Sequence, residues 1–219
     1  MQKTGILGVA AILAGFAAPQ PVSAQQQPQF PGMTFFVTSK PGPDGANFGG
    51  LAGADKHCQT LAAAAGAGAK TWRAFLSTQG PNAVNARDRI GKGPWKNAKD
   101  VVVGENVEDL ISNGGMNIDN SLTERGTKIA GRGYNNNNHD ILTGSDAAGR
   151  AMAGDKDFTC GNWTKGGEGS AIVGHSDRLG LNDSAPMKSW TSSHPTRGCN
   201  MAALNSTGGA GFLYCFAVD

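Results

Sequence analysis

The chain has 219 residues, of which 39% are hydrophobic, and its 19 basic and 17 acidic side chains leave a formal net charge of +2 at pH 7. This length gives room for one ordinary domain with a buried core. Binding to duplex nucleic acid is disfavoured, because it requires a basic face and the lysines and arginines are not clustered.

Residues 1–24 have the three regions of a secretory signal peptide. Lys3 precedes an almost wholly apolar run over residues 5–18, and a polar break ends in Val22-Ser23-Ala24. The apolar run is shorter than the ~20 residues of a membrane span. We therefore predict cleavage near Ala24 and a secreted or periplasmic protein without a membrane span.

A tether and a single domain are predicted after the signal peptide. Residues 25–32 are rich in Gln and Pro and carry no periodicity, which is typical of a linker, so the domain is placed over residues 33–219. Residues 33–38 are rich in aromatic and β-branched side chains and end at the turn-forming residues 41–45. This pattern predicts the first strand.

One main helix is predicted next, ending at Gly66. The apolar residues that share one face of this helix are Leu51, Ala54, Cys58, Leu61 and Ala65. Residues 72–77 alternate large apolar with smaller or polar side chains and predict a second strand, and residues 101–103 predict a short third one.

Long loops dominate the second half of the chain. Residues 106–150 are rich in Gly, Asn, Asp and Thr, and loops of this length in a compact domain are usually functional or stapled. Short strands are predicted over residues 139–143, 158–164 and 211–218. The predicted fold class is α+β, with one main helix packed on short, mostly antiparallel strands.

The four cysteines predict two disulfides. An even number in an exported chain favours disulfides, and the spacings of 102, 39 and 16 residues contain no close pair of the kind that a zinc site uses. Spacing alone leaves three pairings open. The cysteines are Cys58, Cys160, Cys199 and Cys215.

Several motifs resemble one known domain. The segments G-A-D-K-H-C over residues 53–58 and R-A-F-L-S over residues 73–77 resemble the opening of the endostatin domain of basement-membrane collagens. The similarity continues with G-S-D over residues 144–146, C-G-N-W over residues 160–163 and L-Y-C-F over residues 213–216. The chain is also similar to bacterial secreted proteins, often called lectins, that are built on this domain.

The resemblance implies an endostatin-like branch of the C-type-lectin-like fold with two nested disulfides, Cys58 with Cys215 and Cys160 with Cys199. It also implies that the ligand site lies in the loop that the second disulfide closes. The partner expected from the resemblance is a carbohydrate or a cell-surface polymer.

Two ligand sites are predicted in that loop. Asp177, Asn182 and Asp183 supply the oxygen ligands that calcium prefers, although the E-P-N and Q-P-D triplets of calcium-dependent lectins are absent. Structural Asx turns are the alternative for these residues. A metal-free sugar site would use Trp190 as an aromatic platform. The polar residues expected to flank it are Ser192, His194 and Arg197, and His175 is a further expected ligand-binding residue of the loop.

No zinc site is predicted. Mammalian endostatins bind zinc through histidines near the N-terminus, which this chain lacks, and His57, His139, His175 and His194 show no ligand spacing. Trp72, Trp95 and Trp163 are expected in the core.

Binding is favoured over catalysis. His175 with Ser176 and Asp177, or His139 with Asp140, supply the residue types for catalysis, but motifs for a nucleophile, phosphate or dinucleotide are absent. The sequence therefore predicts a secreted or periplasmic binding module. The alternatives are a structural or adhesive envelope protein that binds another protein, and an uncharacterised hydrolase.

Overall fold

The computed structural model describes residues 1–2, 28–112 and 114–219. Most of the predicted signal peptide and the first part of the predicted tether, residues 3–27, lie outside the described residues. Within the described part, no helix has the length and apolar character needed to cross a membrane.

The described chain has a mixed α+β fold. The helices are α1 (Leu51–Ala64), α2 (Val107–Ser112), α3 (Cys160–Trp163) and α4 (Met201–Asn205). The strands are β1 (Phe35–Val37), β2 (Trp72–Ala74), β3 (Trp95–Lys96), β4 (Val102–Gly104), β5 (Asp140–Leu142), β6 (Ile172–His175), β7 (His194–Pro195) and β8 (Gly209–Ala217).

The long last strand, β8, organises the main sheet of six strands. It pairs antiparallel with β1 and β2 near its end and parallel with β5 near its start. Strand β6 then pairs antiparallel with β5, and β7 pairs antiparallel with β6. Nearly every residue of β8 is buried, which agrees with its continuous apolar sequence.

Helix α1 packs on this sheet through the predicted apolar stripe. Ala54, Cys58 and Leu61 are buried along it, and Gly66 follows the helix with a φ of 79°, the left-handed conformation that glycine adopts without strain. The predicted helix is therefore confirmed within one or two residues.

Both disulfides form in the pairing that the resemblance implies. Cys58 bonds to Cys215 and ties α1 to β8, across 157 residues of sequence. Cys160 bonds to Cys199 and closes a segment of 39 residues that contains β6 and β7. Loops of these sizes correspond to roughly 3–5 kcal/mol of stabilisation each in the chain-entropy model.

The core holds most of the large aromatic side chains. Trp72, Trp95 and Trp163 are at most 2% exposed, as predicted. Trp95 and Phe75 pack against Phe216 of β8, on the face of the sheet opposite Cys58.

One predicted strand is wrong. Residues 158–164 contain the single turn α3, because Cys160, Gly161, Asn162 and Trp163 all have positive φ angles that a strand excludes. The side chain of Thr159 accepts a hydrogen bond from the Asn162 N–H and so caps this turn. Its Gly and Asn residues are suited to the left-handed conformation.

Candidate metal centre

The register of three strands places two histidines beside one aspartate. Asp140 of β5 lies directly opposite His175 of β6, so their side chains share one face of the sheet. His194 of β7 lies opposite Val173, two residues before His175, and therefore points to the same face. Residues far apart in sequence thus converge at one edge.

His139 joins this group from the residue just before β5. Its ring stacks on that of His175, with centroids 4.1 Å apart and planes inclined by 11°. His139 precedes the first paired residue of β5, so the alternation of a strand does not fix the side to which its ring points. Three imidazoles therefore surround one carboxylate.

The carboxylate of Asp140 is buried and lacks a hydrogen bond. Asp140 is 1% exposed, and neither of its oxygens has a hydrogen-bond partner among the described residues. Oδ1 lies 3.3 Å from Nε2 of His139 and 3.3 Å from Nε2 of His175. Oδ2 lies 3.5 Å from Nε2 of His194. Buried polar groups without partners are rare and require a physical explanation.

The other ring nitrogen of each histidine, Nδ1, already has a hydrogen-bond partner. Nδ1 of His139 lies 2.9 Å from Oδ1 of Asp177, Nδ1 of His175 lies 2.8 Å from the Met187 carbonyl, and Nδ1 of His194 lies 3.2 Å from the Pro195 carbonyl. Because carbonyls and carboxylates only accept hydrogen bonds, each Nδ1 must be the donor. In the neutral ring, Nε2 is then an acceptor, and each Nε2 lies within 3.5 Å of an Asp140 oxygen without forming a hydrogen bond to it.

This arrangement requires positive charge at its centre. Burial raises the pKa of Asp140, but the facing rings of His175, His194 and His139 lower it further, to about 2, so the carboxyl is ionised. Asp140 in turn raises the pKa of His194 above its ordinary value, against the opposing effect of burial. An acceptor nitrogen this close to a carboxylate is repelled by it unless a proton or a metal cation lies between them.

Two further groups respond to the same charge. Burial raises the pKa of Asp177, but hydrogen bonds from His139 and from the backbone N–H groups of Arg132 and Leu179 bring it below its ordinary value. Tyr214 has a buried hydroxyl without a hydrogen-bond partner in the described part of the chain, and its pKa is well above the ordinary value because of burial and the nearby charges of Asp177 and Asp140. Asp177 therefore remains ionised and supports His139.

The geometry fits a transition-metal ion. Ligand atoms of His139, Asp140 and His175 all lie within 4.8 Å of one another. In a tetrahedral site with bonds of about 2.0–2.1 Å, two ligand atoms lie roughly 3.3 Å apart, which matches the distances from Asp140 to the two histidines. A hydrogen bond from the second nitrogen to a carboxylate or carbonyl is also typical of metal-binding histidines.

The donor set distinguishes between metals. Imidazole nitrogens favour zinc, copper, iron or nickel, whereas calcium and magnesium prefer oxygen ligands. Two histidines with one carboxylate leave at least one coordination position open. His194 approaches the second carboxylate oxygen, and 25% of its side chain is exposed.

A cavity of about 420 Å³ lies above this cluster. His139, His175 and His194 line it together with Arg132 and Arg197. The structure thus brings together three residues of the predicted ligand site, namely His175, His194 and Arg197. The cavity gives a small molecule access to the open side of the cluster.

Trp190 does not face this cavity. Its side chain is 2% exposed, its ring packs against Phe75 and Tyr214, and its N–H donates to the Leu110 carbonyl. A sugar platform needs an exposed ring face. The structure therefore gives Trp190 a role in the core, and the predicted aromatic platform is not formed.

The residues of the predicted calcium site have other partners. Asp177 is 4% exposed and is occupied by His139, Arg132 and Leu179. Asn182 accepts a hydrogen bond from the Ser184 N–H, the Asx turn that was the alternative. Asp183 is exposed and pairs with Lys188 at 2.8 Å. Calcium at these residues stays a prediction, without a shared site among their contacts.

Sequence reasoning did not place His139 and Asp140 in a site. The intervals of 35 residues from Asp140 to His175 and of 19 from His175 to His194 match no local motif. Only the pairing of β5, β6 and β7 makes them neighbours. The available signal was a histidine and an aspartate at the start of an otherwise apolar strand, where a polar pair is unexpected.

No protein-family model matches this chain, and a search of curated proteins found no match either.

Proposed function

We propose that this protein binds a divalent transition-metal ion, most readily Zn²⁺, through His139, Asp140 and His175. His194 lies at the open side and completes or borders the coordination shell. The observation that carries the proposal is the buried, ionised carboxylate of Asp140, which has no hydrogen bond from any residue that the structure describes and lies beside three Nε2 atoms. A metal ion supplies the missing partner for all four groups at once.

The wider role that we propose is an exported binding module. A C-type-lectin-like domain of the endostatin-like branch is supported by the motifs, the α+β architecture and the nested disulfides. Export is supported by the disulfides together with the sequence pattern of residues 1–24. The partner that we propose is a carbohydrate or cell-surface polymer, bound in the metal-containing cavity.

A purely structural or adhesive protein is the competing function. It would bind another protein and would need no buried charge beneath a cavity. The cluster of Asp140 and its histidines favours the metal-dependent module. An unpartnered buried carboxylate lowers stability, so we expect such a group to be retained only where a function needs it. We propose a binding role without a catalytic step.

Metal binding is tested on the oxidised chain, residues 25–219, after treatment with a chelator. We expect one equivalent of Zn²⁺ to bind by isothermal titration calorimetry, and Co²⁺ to give the intense visible absorption of a tetrahedral site. Asp140→Asn is expected to lower Zn²⁺ affinity by about 100-fold or more, because it removes a ligand.

The matched control is His57→Ala. His57 is half-buried on α1 and contacts the Lys40 carbonyl and the Phe48 ring, outside the cluster. This variant should bind Zn²⁺ like the wild type. Equal Zn²⁺ affinity for the wild type and Asp140→Asn would refute the proposed site.

A further inference from the structure

Two arginines at the cavity have no partner in the described chain. Arg132 and Arg197 both line the cavity, both are exposed, and neither guanidinium makes an ion pair or hydrogen bond with any residue that the structure describes. Other arginines are engaged: Arg89 pairs with Asp55, and Arg87 pairs with Glu108. The two cavity arginines are therefore free to contact a ligand.

The charges around the cavity favour an anion. No carboxylate is among the described residues that line it, because Asp140 and Asp177 are buried behind the histidines. With a divalent ion bound, the ion and the two arginines carry four positive charges against the two carboxylates. A concave site with this excess raises the local concentration of anions.

The other residues that line the cavity indicate what kind of molecule carries the anionic group. Asn137, Ser206 and Thr207 offer amide and hydroxyl groups, while Leu181 and Met187 form an apolar part of the wall. Leu181 is 80% exposed and so offers apolar surface to a ligand in the cavity. A volume of about 420 Å³ suits a small molecule or one unit of a polymer.

We propose that the metal-loaded cavity binds an oxyanion, the carboxylate or phosphate group of an acidic sugar. One oxygen takes the open position on the metal, and Arg132 and Arg197 bind the remaining oxygens. Guanidinium groups suit this role, because their planar donors match carboxylate and phosphate oxygens. The sugar ring lies against Leu181 and Met187, within reach of the hydroxyl and amide groups. This inference rests on the proposed metal site.

The test uses the Co²⁺-loaded chain, residues 25–219, and two pairs of probes. Galacturonate is compared with galactose, and glucose 6-phosphate with glucose, while the visible spectrum of Co²⁺ reports on its coordination. We expect at least one acidic probe to change this spectrum and to bind at least tenfold more tightly than its neutral counterpart. The pair that responds identifies carboxylate or phosphate as the group recognised.

Variants assign the anion contacts to the two arginines. Arg132→Gln and Arg197→Gln should each weaken binding of the acidic probe by about tenfold, as expected for loss of a charge-assisted hydrogen bond. Both should keep the Co²⁺ affinity of the wild type. The control is Arg73→Gln, since Arg73 is an exposed arginine of β2 outside the cavity, and it should behave like the wild type.

The outcomes separate the two proposals. If Co²⁺ binds but neither acidic probe binds more tightly than its neutral counterpart, the oxyanion inference fails and the metal site stands. Wild-type affinity for the acidic probe in both arginine variants would also overturn it. If the wild type takes up no Co²⁺, the metal proposal fails and the inference fails with it.

Discussion

Two carboxylates of this protein, the half-buried Asp55 and the buried Asp140, have opposite surroundings. Asp55 on α1 accepts a hydrogen bond from the Ala74 N–H and pairs with Arg89 at 2.7 Å. Arg89, which is 8% exposed, also donates to the Ala74 carbonyl. Asp140 is more deeply buried, faces three imidazoles and has no hydrogen bond among the described residues. Asp55 therefore has its partners within the fold, and Asp140 does not.

The difference separates a structural ion pair from a candidate site. A buried charge with complete hydrogen bonding fixes the position of the elements that it joins, here α1 and β2. A buried charge without hydrogen bonds lowers stability until a ligand supplies its partner, and such groups concentrate at functional sites. Four variants or conditions distinguish these two roles.

The largest effect is expected at the structural pair. Asp55→Asn leaves the buried Arg89 guanidinium without its charge partner, so we expect the free energy of unfolding to fall by about 3 kcal/mol, the low end for a buried pair because the Asp55 side chain is 26% exposed. Zn²⁺ binding by the folded variant should be unchanged. Urea denaturation and metal titration on the same sample check both statements, and a loss of metal affinity would show that the two regions are coupled.

Addition of Zn²⁺ should stabilise the protein only through the cluster around Asp140. At a free Zn²⁺ concentration 100 times the Kd, we expect the free energy of unfolding of the wild type to rise by about 2.7 kcal/mol. Thermal unfolding with and without Zn²⁺ measures this rise. Asp140→Asn should show almost no rise at the same concentration, whereas Asp55→Asn should show the full one.

A smaller effect is expected at His194. Its Nε2 approaches Oδ2 of Asp140 at 3.5 Å, and it is not part of the closely spaced set formed by His139, Asp140 and His175. We therefore expect His194→Ala to weaken Zn²⁺ binding by about tenfold, or ~1.4 kcal/mol. A loss as large as that of Asp140→Asn in calorimetry would make His194 an equal ligand.

The smallest effect on stability is expected at Asp157, a half-buried carboxylate. Burial raises its pKa, but hydrogen bonds from the Thr159 and Gly161 N–H groups and from Lys165 bring it below the ordinary value of 3.8. A lowered pKa in the folded state means that the stabilisation is present above about pH 4 and is lost as the pH falls below it. Unfolding measured between pH 2 and 5 should show a shallower pH dependence for Asp157→Asn than for the wild type.

The sequence predicted the framework because its signals are local. The apolar spacing around Cys58 predicted α1, and the continuous apolar run near Cys215 predicted β8. The disulfide pairing required the resemblance, since spacing allowed three pairings. The segment at Cys160 was misjudged because its left-handed residues follow from a Thr159 cap and a Gly-Asn sequence, not from periodicity.

Only part of the candidate site could be predicted from the sequence. The reason differs from the one for the segment at Cys160. His175, His194 and Arg197 were recognised as polar residues of the stapled loop, but Asp140 and His139 lie outside that loop. Their approach to His175 depends on the register between β5 and β6. Trp190 was placed in the site because aromatic rings often bind sugars, and its burial depends on contacts with Phe75 and Tyr214 that the sequence does not reveal.

The most direct test of the metal site is X-ray absorption at the zinc edge, on the Zn²⁺-loaded wild type and the Asp140→Asn variant. We predict a shell of nitrogen and oxygen ligands at about 2.0–2.1 Å from the metal, with the outer scattering of at least two imidazoles. This signal should be lost or strongly reduced in Asp140→Asn. A shell of oxygen ligands without imidazole scattering, or identical spectra for both proteins, would contradict the assignment of the metal to His139, Asp140 and His175.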